Sequence, residues 1–324
     1  MQKFLALFLF TTTILTAQIT ITDSISNYPV SYATISFGNG NGIFADDEGQ
    51  FTFTEKLYPD IDTLFISALG FKDLNIATKS LPQQLFMQPE ADELDEVLIG
   101  VKLNRKFKKE TLKPYLDSDY YKCWLPTIES EIAVFFPKTT TKDQKLTHVL
   151  FPIALESKDW KKRKKSNSDK KPFSTLFKVK FYKNENGLPG KVLTYETIVF
   201  RATEKNGDVF ELNVDTFDIY IPENGFFVSL QTLGYTDKNG KLLPNKKYKE
   251  IKSKNGLVKI PTNFRPLLPF TDKIETSNTF IKRVFIGANN WAKFKKGNGF
   301  KSSLLDKNLT NYGIGLIYKT FKDE

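Results

Sequence analysis

Residues 29–53 read PVSYATISFGNGNGIFADDEGQFTF. Ala33, Ile35 and Phe37 alternate with Tyr32, Thr34 and Ser36. A period of two puts the first set on one face of an extended chain, the pattern of a half-buried strand. GNGNG, residues 38–42, follows as a turn in which positive φ is easily reached. ADDEG, residues 45–49, makes a second turn, and Phe51 and Phe53 resume the alternation. Leu64 with Ile66, Leu74 with Ile76, and Leu85 with Met87 mark three further short strands. Short strands with turns between them predict a small β-sandwich over residues 18–100.

The same residues resemble a known family. ITDSISNYPVSYATISFGNGNGIFADDEGQFTF, then LFISALGF, then ELDEVLI are similar to the carboxypeptidase-regulatory-like domain of secreted and outer-membrane bacterial proteins. Two departures stand out: Phe71 occupies the place of the usual Tyr, and Ile21 and Thr22 precede Asp23 where the family has a Gly. The resemblance implies a transthyretin-like sandwich of about seven strands that accompanies other domains and has no catalytic role. It does not imply a peptidase. A catalytic zinc site needs three protein ligands, and the chain holds one histidine, His148, and one cysteine, Cys123. No metal and no cofactor is expected. The DDEG turn, Asp46–Gly49, lacks the ligand spacing of a calcium loop and reads as an acidic hairpin turn.

Residues 1–17 carry Lys3 and then the apolar run FLALFLFTTTILTA, too short to span a bilayer comfortably. This reads as a cleaved secretory signal ending at Ala17, so the mature protein is expected in the periplasm, at the outer-membrane surface or outside the cell. A single cysteine allows no internal disulfide, and Cys123, in YYKCWLP, reads as a small buried apolar residue.

Charge divides the chain. Residues 18–100 hold 13 Asp and Glu against 3 Lys and Arg, whereas residues 101–324 hold 24 against 43. The asymmetry marks a boundary near residue 100 and two surfaces that suit different partners, or each other. Residues 101–122 read as a basic connector. Residues 123–324 read as a second, larger β-rich domain, because runs such as IAVFFP, LTHVLFPIA, LFKVKFYK, FDIYIP, FFVSLQTLGY and YGIGLIYKTF alternate with Asn-Gly turns. The expected fold class is therefore all-β, two consecutive sandwiches, the second jelly-roll-like.

No nucleophile elbow, phosphate loop or dinucleotide fingerprint occurs. A histidine-dependent mechanism rests on His148 alone, in a strand context where a packed or edge role is the usual one. The unusual segment is ESKDWKKRKKSNSDKKPF, residues 156–173, in which 8 of the 14 residues from Lys158 to Lys171 are basic. Lys161, Lys162, Arg163, Lys164 and Lys165, with Trp160 to stack on a sugar ring, form a candidate polyanion site. The leading expectation is a non-catalytic, exported cell-envelope protein acting through binding or structural contacts. The alternatives are a binding module for acidic polysaccharide or another polyanion, and an unrecognised hydrolase in the C-terminal region. Partners are expected among acidic polysaccharides or envelope proteins.

Overall fold

The computed structural model describes residues 18–90, 105–159, 161, 169–244, 248–253, 256–274, 278–287 and 290–322. The signal stretch 1–17 lies outside them. Strand makes up 47% of the structure and helix 6%, which places the chain in the all-β class with a sandwich-type fold.

The N-terminal strands are β1 (Gln18–Asp23), β2 (Thr34–Ser36), β3 (Gly42–Phe44), β4 (Gln50–Thr52), β5 (Thr63–Ser67), β6 (Leu74–Ala77) and β7 (Gln84–Met87). They form a three-stranded sheet, β4-β1-β7, and a four-stranded sheet, β3-β2-β5-β6. The alternation read from sequence is the packing: Ala33, Ile35, Phe37, Phe51, Phe53, Leu64, Ile66, Leu85 and Met87 are all buried in one core between the sheets. Asp46 shapes the acidic turn. Its Oδ1 accepts hydrogen bonds from the backbone N–H of Glu48 at 3.0 Å and of Gln50 at 2.8 Å.

The remaining strands are β8 (Phe107–Leu112), β9 (Cys123–Trp124), β10 (Ser130–Phe136), β11 (Gln144–Pro152), β12 (Ser174–Glu185), β13 (Leu188–Val192), β14 (Ile198–Thr203), β15 (Val209–Asn213), β16 (Phe226–Tyr235), β17 (Lys249–Ser253), β18 (Gly256–Ile260), β19 (Leu268–Thr271), β20 (Thr279–Arg283), β21 (Ala292–Lys293), β22 (Asn311–Tyr312) and β23 (Gly315–Phe321). A seven-stranded sheet runs β13-β12-β16-β10-β20-β21, with β14 also on β12. It faces a four-stranded sheet, β15-β11-β23-β8, across a core rich in phenylalanine. Residues 107–112 of the basic stretch thus belong to this sheet, paired along β23. FDIYIP, in contrast, forms no strand: Asp215–Phe217 is a 3-10 turn and Asp218 is left-handed.

On the large sheet Ile132, Val134 and Phe136 of β10, Phe177, Val179 and Phe181 of β12, and Phe226, Val228 and Leu230 of β16 point into that core. The alternate residues point away from it, and the N-terminal strands cover one end of this outer face. Phe44 packs on Phe285 with ring centroids 5.3 Å apart, in a cluster with Ile128, Leu176, Leu233, Leu242 and Phe264. Ser36 Oγ donates to the Phe285 carbonyl at 2.7 Å, and the Gly42 N–H donates to the Tyr248 hydroxyl at 3.1 Å. Charge complementarity appears where Lys241 Nζ meets Glu48 Oε2 at 2.8 Å and Asp46 Oδ2 at 3.4 Å.

Candidate functional site

The outer face of the large sheet carries an ordered set of polar residues. One ladder row reads Lys282, Glu131, Gln231, Lys178 across β20, β10, β16 and β12. The next reads Phe280, Ala133, Ser229, Lys180 across the same strands. Because side chains alternate strictly along a strand, these groups must share one face. Aromatic residues close the far end, where Tyr182, Phe227, Phe280 and Trp291 pack together.

Glu131 is the hub, and it is 1% exposed. Its Oε1 accepts from the Tyr182 hydroxyl at 2.8 Å and the Ser229 hydroxyl at 2.7 Å, and its Oε2 lies 3.2 Å from Lys282 Nζ. Burial by itself would raise the pKa of this carboxyl. The charges of Lys180 and Lys282, with the two hydroxyls, overcome that and hold it below the usual carboxylate range. Glu131 is therefore an anion. Tyr182, buried beside that charge, has its phenol pKa pushed up.

Lys178, Lys180 and Lys282 are only partly buried, so solvent reaches them. Lys178 is lowered to about 7, first by desolvation and then by the repulsion of Lys180, with Glu131 opposing and Lys282 adding to the effect. Lys180 is lowered too, mainly by desolvation. Lys178 Nζ donates to the Tyr32 carbonyl at 3.2 Å, which brings the N-terminal strands to the edge of the cluster. Lys282 Nζ also stands 4.9 Å from the Trp291 ring centre, a cation–π distance.

Three ammonium groups thus surround one carboxylate. Two donors beside them are left over: Gln231 Nε2 and Trp291 Nε1 are buried with no hydrogen-bond partner among the described residues. An excess of cations and donors in a partly dry site costs free energy until an acceptor arrives. Glu129, the residue just before β10, is also buried, makes no ion pair among the described residues and faces the Tyr248 phenol. The charges that act on Lys178 are those of Lys180, Glu131 and Lys282, and those that act on Lys180 are Glu131 and Lys282. The Tyr248 phenol, half-buried under the N-terminal strands, is raised first by desolvation and then by the charge of Glu129.

Of the residues singled out from sequence, Lys161 is exposed, with its N–H bonded to Asp159 Oδ1 at 2.9 Å. Trp160, Lys162, Arg163, Lys164 and Lys165 lie outside the described residues. Ser157 and Lys170 form a β-bridge, and Lys171 Nζ lies 2.8 Å from Glu156 Oε1. His148 is a strand residue on β11, its Nδ1 3.1 Å from Thr147 Oγ1 and its Nε2 3.7 Å from Glu211 Oε1. His148→Ala is expected to change the unfolding free energy by less than about 1 kcal/mol, read by urea titration. Cys123 is buried and burial pushes its thiol up to about 12. A thiol reagent should label it only in denaturant, and rapid labelling of the native chain would contradict that placement.

Lys178, Lys180 and Glu131 were not singled out by sequence reading. KVK in β12 carries charge at alternate positions of an apolar strand and SEI in β10 a single charge at the strand's start, which is how a solvated face also reads. Only the pairing of β12, β16, β10 and β20 shows that these charges gather in one place. Compared with models of known protein families, the sequence matches none. Compared with curated proteins, it again matches none.

Proposed function

We propose that this chain is an exported, non-catalytic binding protein of a bacterial cell envelope, and that the cradle of Lys178, Lys180 and Lys282 around Glu131 receives an anionic ligand. The observation that carries this reading is the unequal charge of the cradle, three lysines to one carboxylate, beside the unpartnered amide of Gln231. An anion supplies the acceptor that the site lacks. Export rests on the sequence of residues 1–17. The seven-strand N-terminal arrangement supports the resemblance to the carboxypeptidase-regulatory-like family, whose sandwiches accompany other domains. On this reading the N-terminal strands wall one side of the site, through Tyr32.

The basic segment, residues 158–171, is the second place where an anion would bind, and variants separate the two. Acidic polysaccharides immobilised on a surface should retain the full chain after Lys161, Lys162, Arg163, Lys164 and Lys165 are changed to Ser. Retention should fall at least about tenfold in Lys180→Met, because one charge-assisted contact is worth about 1.5 kcal/mol or more. Retention lost in the segment variant and intact in Lys180→Met would assign binding to the segment instead.

Binding should also take up a proton. The groups facing Lys178 are Lys180, Lys282 and Glu131 from the sheet and the Tyr32 carbonyl from the N-terminal strands. An incoming anion favours the charged amine, which desolvation and the neighbouring lysines lower to about 7. Affinity is therefore expected to be about tenfold weaker at pH 8.5 than at pH 6, measured by calorimetry, and Lys178→Met should flatten the difference.

A further inference from the structure

We infer that the cradle recognises one terminal carboxylate of an acidic saccharide and not the interior of a polyanionic chain. This rests on the binding reading above and narrows it to a ligand class. The argument starts from the length of the charged surface. On the four central strands cationic residues occupy two successive rows of the outer face, Lys282 with Lys178 and then Lys180; on the flanking strands Lys293 of β21 lies opposite Phe280 and the exposed Arg201 of β14 opposite Leu176. Two rows on one face span about 7 Å along the strands. On the N-terminal side the face turns apolar at Leu176, Leu233 and Phe285, under Phe44. On the other side it turns apolar at Phe227, Phe280 and Trp291. Along the four central strands a chain with a charge on every repeat finds no further cation on either side; the next ones, Arg201 and Lys293, stand to the side on the flanking strands β14 and β21, with Arg201 already donating to the Lys238 carbonyl at 3.1 Å.

Across the strands the same limit holds for another reason. The row reads cation, anion, amide, cation, with Glu131 at its second position. Repeated anions laid along this row would set one charge against Glu131, which is itself an anion. A single carboxylate between the lysines avoids that repulsion. Recognition of a chain interior needs cations spaced along a long surface, where affinity comes from many released counterions.

The donors that remain identify the rest of the ligand. Gln231 Nε2 and Trp291 Nε1 are neutral donors, and hydroxyl or ring oxygens of a sugar suit them better than a second charge. A peptide terminus would bring apolar side chains, yet the apolar residues flanking the cradle are packed: Phe227 is 1% exposed and Phe280 6%. They offer no open pocket for such side chains.

The test is calorimetry on the full chain after export, with galacturonate monomer, dimer and hexamer, a neutral galactose hexamer, inorganic sulfate, and an N-acetylated tripeptide with a free C-terminal carboxylate. The three uronates should bind within about threefold of one another per molecule, with a shallow salt dependence near that of a single ion pair. The neutral hexamer should not bind, and Lys180→Met should weaken every uronate about tenfold, a loss of one charge-assisted contact. Sulfate should compete with the uronates in the unmodified chain, a readout that needs no variant to fold. A hexamer binding tenfold or more above the dimer overturns the inference in favour of chain-interior recognition. Tripeptide binding equal to that of the uronates overturns the saccharide assignment. Sulfate binding that Lys180→Met weakens, without any uronate monomer binding, overturns this inference alone and leaves the binding reading standing. No anion binding at the cradle removes both.

Discussion

Glu131→Gln is expected to lower the unfolding free energy by about 3–5 kcal/mol, the cost of removing one member of a buried ion pair and leaving the others uncompensated. The shape of the side chain is retained, and the hydroxyls of Tyr182 and Ser229 keep an oxygen to donate to. What disappears is the charge that Lys282 pairs with at 3.2 Å and that Lys180 feels. The comparison is Glu129→Gln, which removes a buried carboxylate that makes no ion pair among the described residues and keeps an amide oxygen facing the Tyr248 hydroxyl, so it should cost less than about 1 kcal/mol. Urea titration of the two variants separates these cases. Acid should mimic the first substitution. Glu131 is held below its ordinary value of 4.5, so its contribution is in place above that pH and is lost as pH falls through the lower, folded value. A cost below 1 kcal/mol for Glu131→Gln would mean that the lysines do not depend on this carboxylate.

The second large effect is expected at Gly42. A Cβ added there would lie 2.3 Å from Phe285 Cδ1 and 2.4 Å from the Ile35 carbonyl oxygen. Neither neighbour gives way cheaply. The Ile35 oxygen is backbone inside β2, and Phe285 is 1% exposed with its own carbonyl held by Ser36 at 2.7 Å. Gly42 also donates its N–H to Tyr248 at 3.1 Å, which ties β3 to the C-terminal part of the chain. Gly42→Val should therefore cost about 3 kcal/mol or more in unfolding free energy, at the upper end of overpacking effects. Hydrogen exchange should quicken first at Phe44, Phe285 and Tyr248. Gly187, where an added Cβ meets nothing within 4 Å, serves as the control for glycine replacement as such, although its positive φ adds a small local strain. Equal stability of Gly42→Val and the native chain would mean that β3 does not seat on Phe285 as described.

The reading of residues 29–53 carried so far because a half-buried strand writes its packing into its sequence. Ala33, Ile35 and Phe37 alternate and all three are buried. FFVSLQTLGY shows what that rule misses. β16 is buried on both faces, so its polar residues Ser229 and Gln231 lie inside the molecule although they look like a solvated side. FDIYIP alternates as a strand would, yet the left-handed Asp218 and the turn before it break the extension. The cradle was hidden for a related reason. Lys178 and Lys180 are two residues apart in β12, but Glu131 and Lys282 reach them only through the antiparallel order β12-β16-β10-β20. That order is set by long connections, and local periodicity does not encode it. The conspicuous run of charge at 158–171 drew attention because contiguous lysines are visible in one line of sequence, whereas convergent ones are not.

The central claim is that the cradle receives an anion, and anomalous scattering tests it most directly. Crystals of the full chain soaked in selenate, a sulfate analogue with a strong selenium signal, should show an anomalous peak within hydrogen-bond distance of Lys180 Nζ and Lys178 or Lys282 Nζ. The peak should be absent from crystals of Lys180→Met soaked in the same way. Peaks confined to the lysines and arginine of residues 158–171, with the cradle empty in the native chain, would contradict the account.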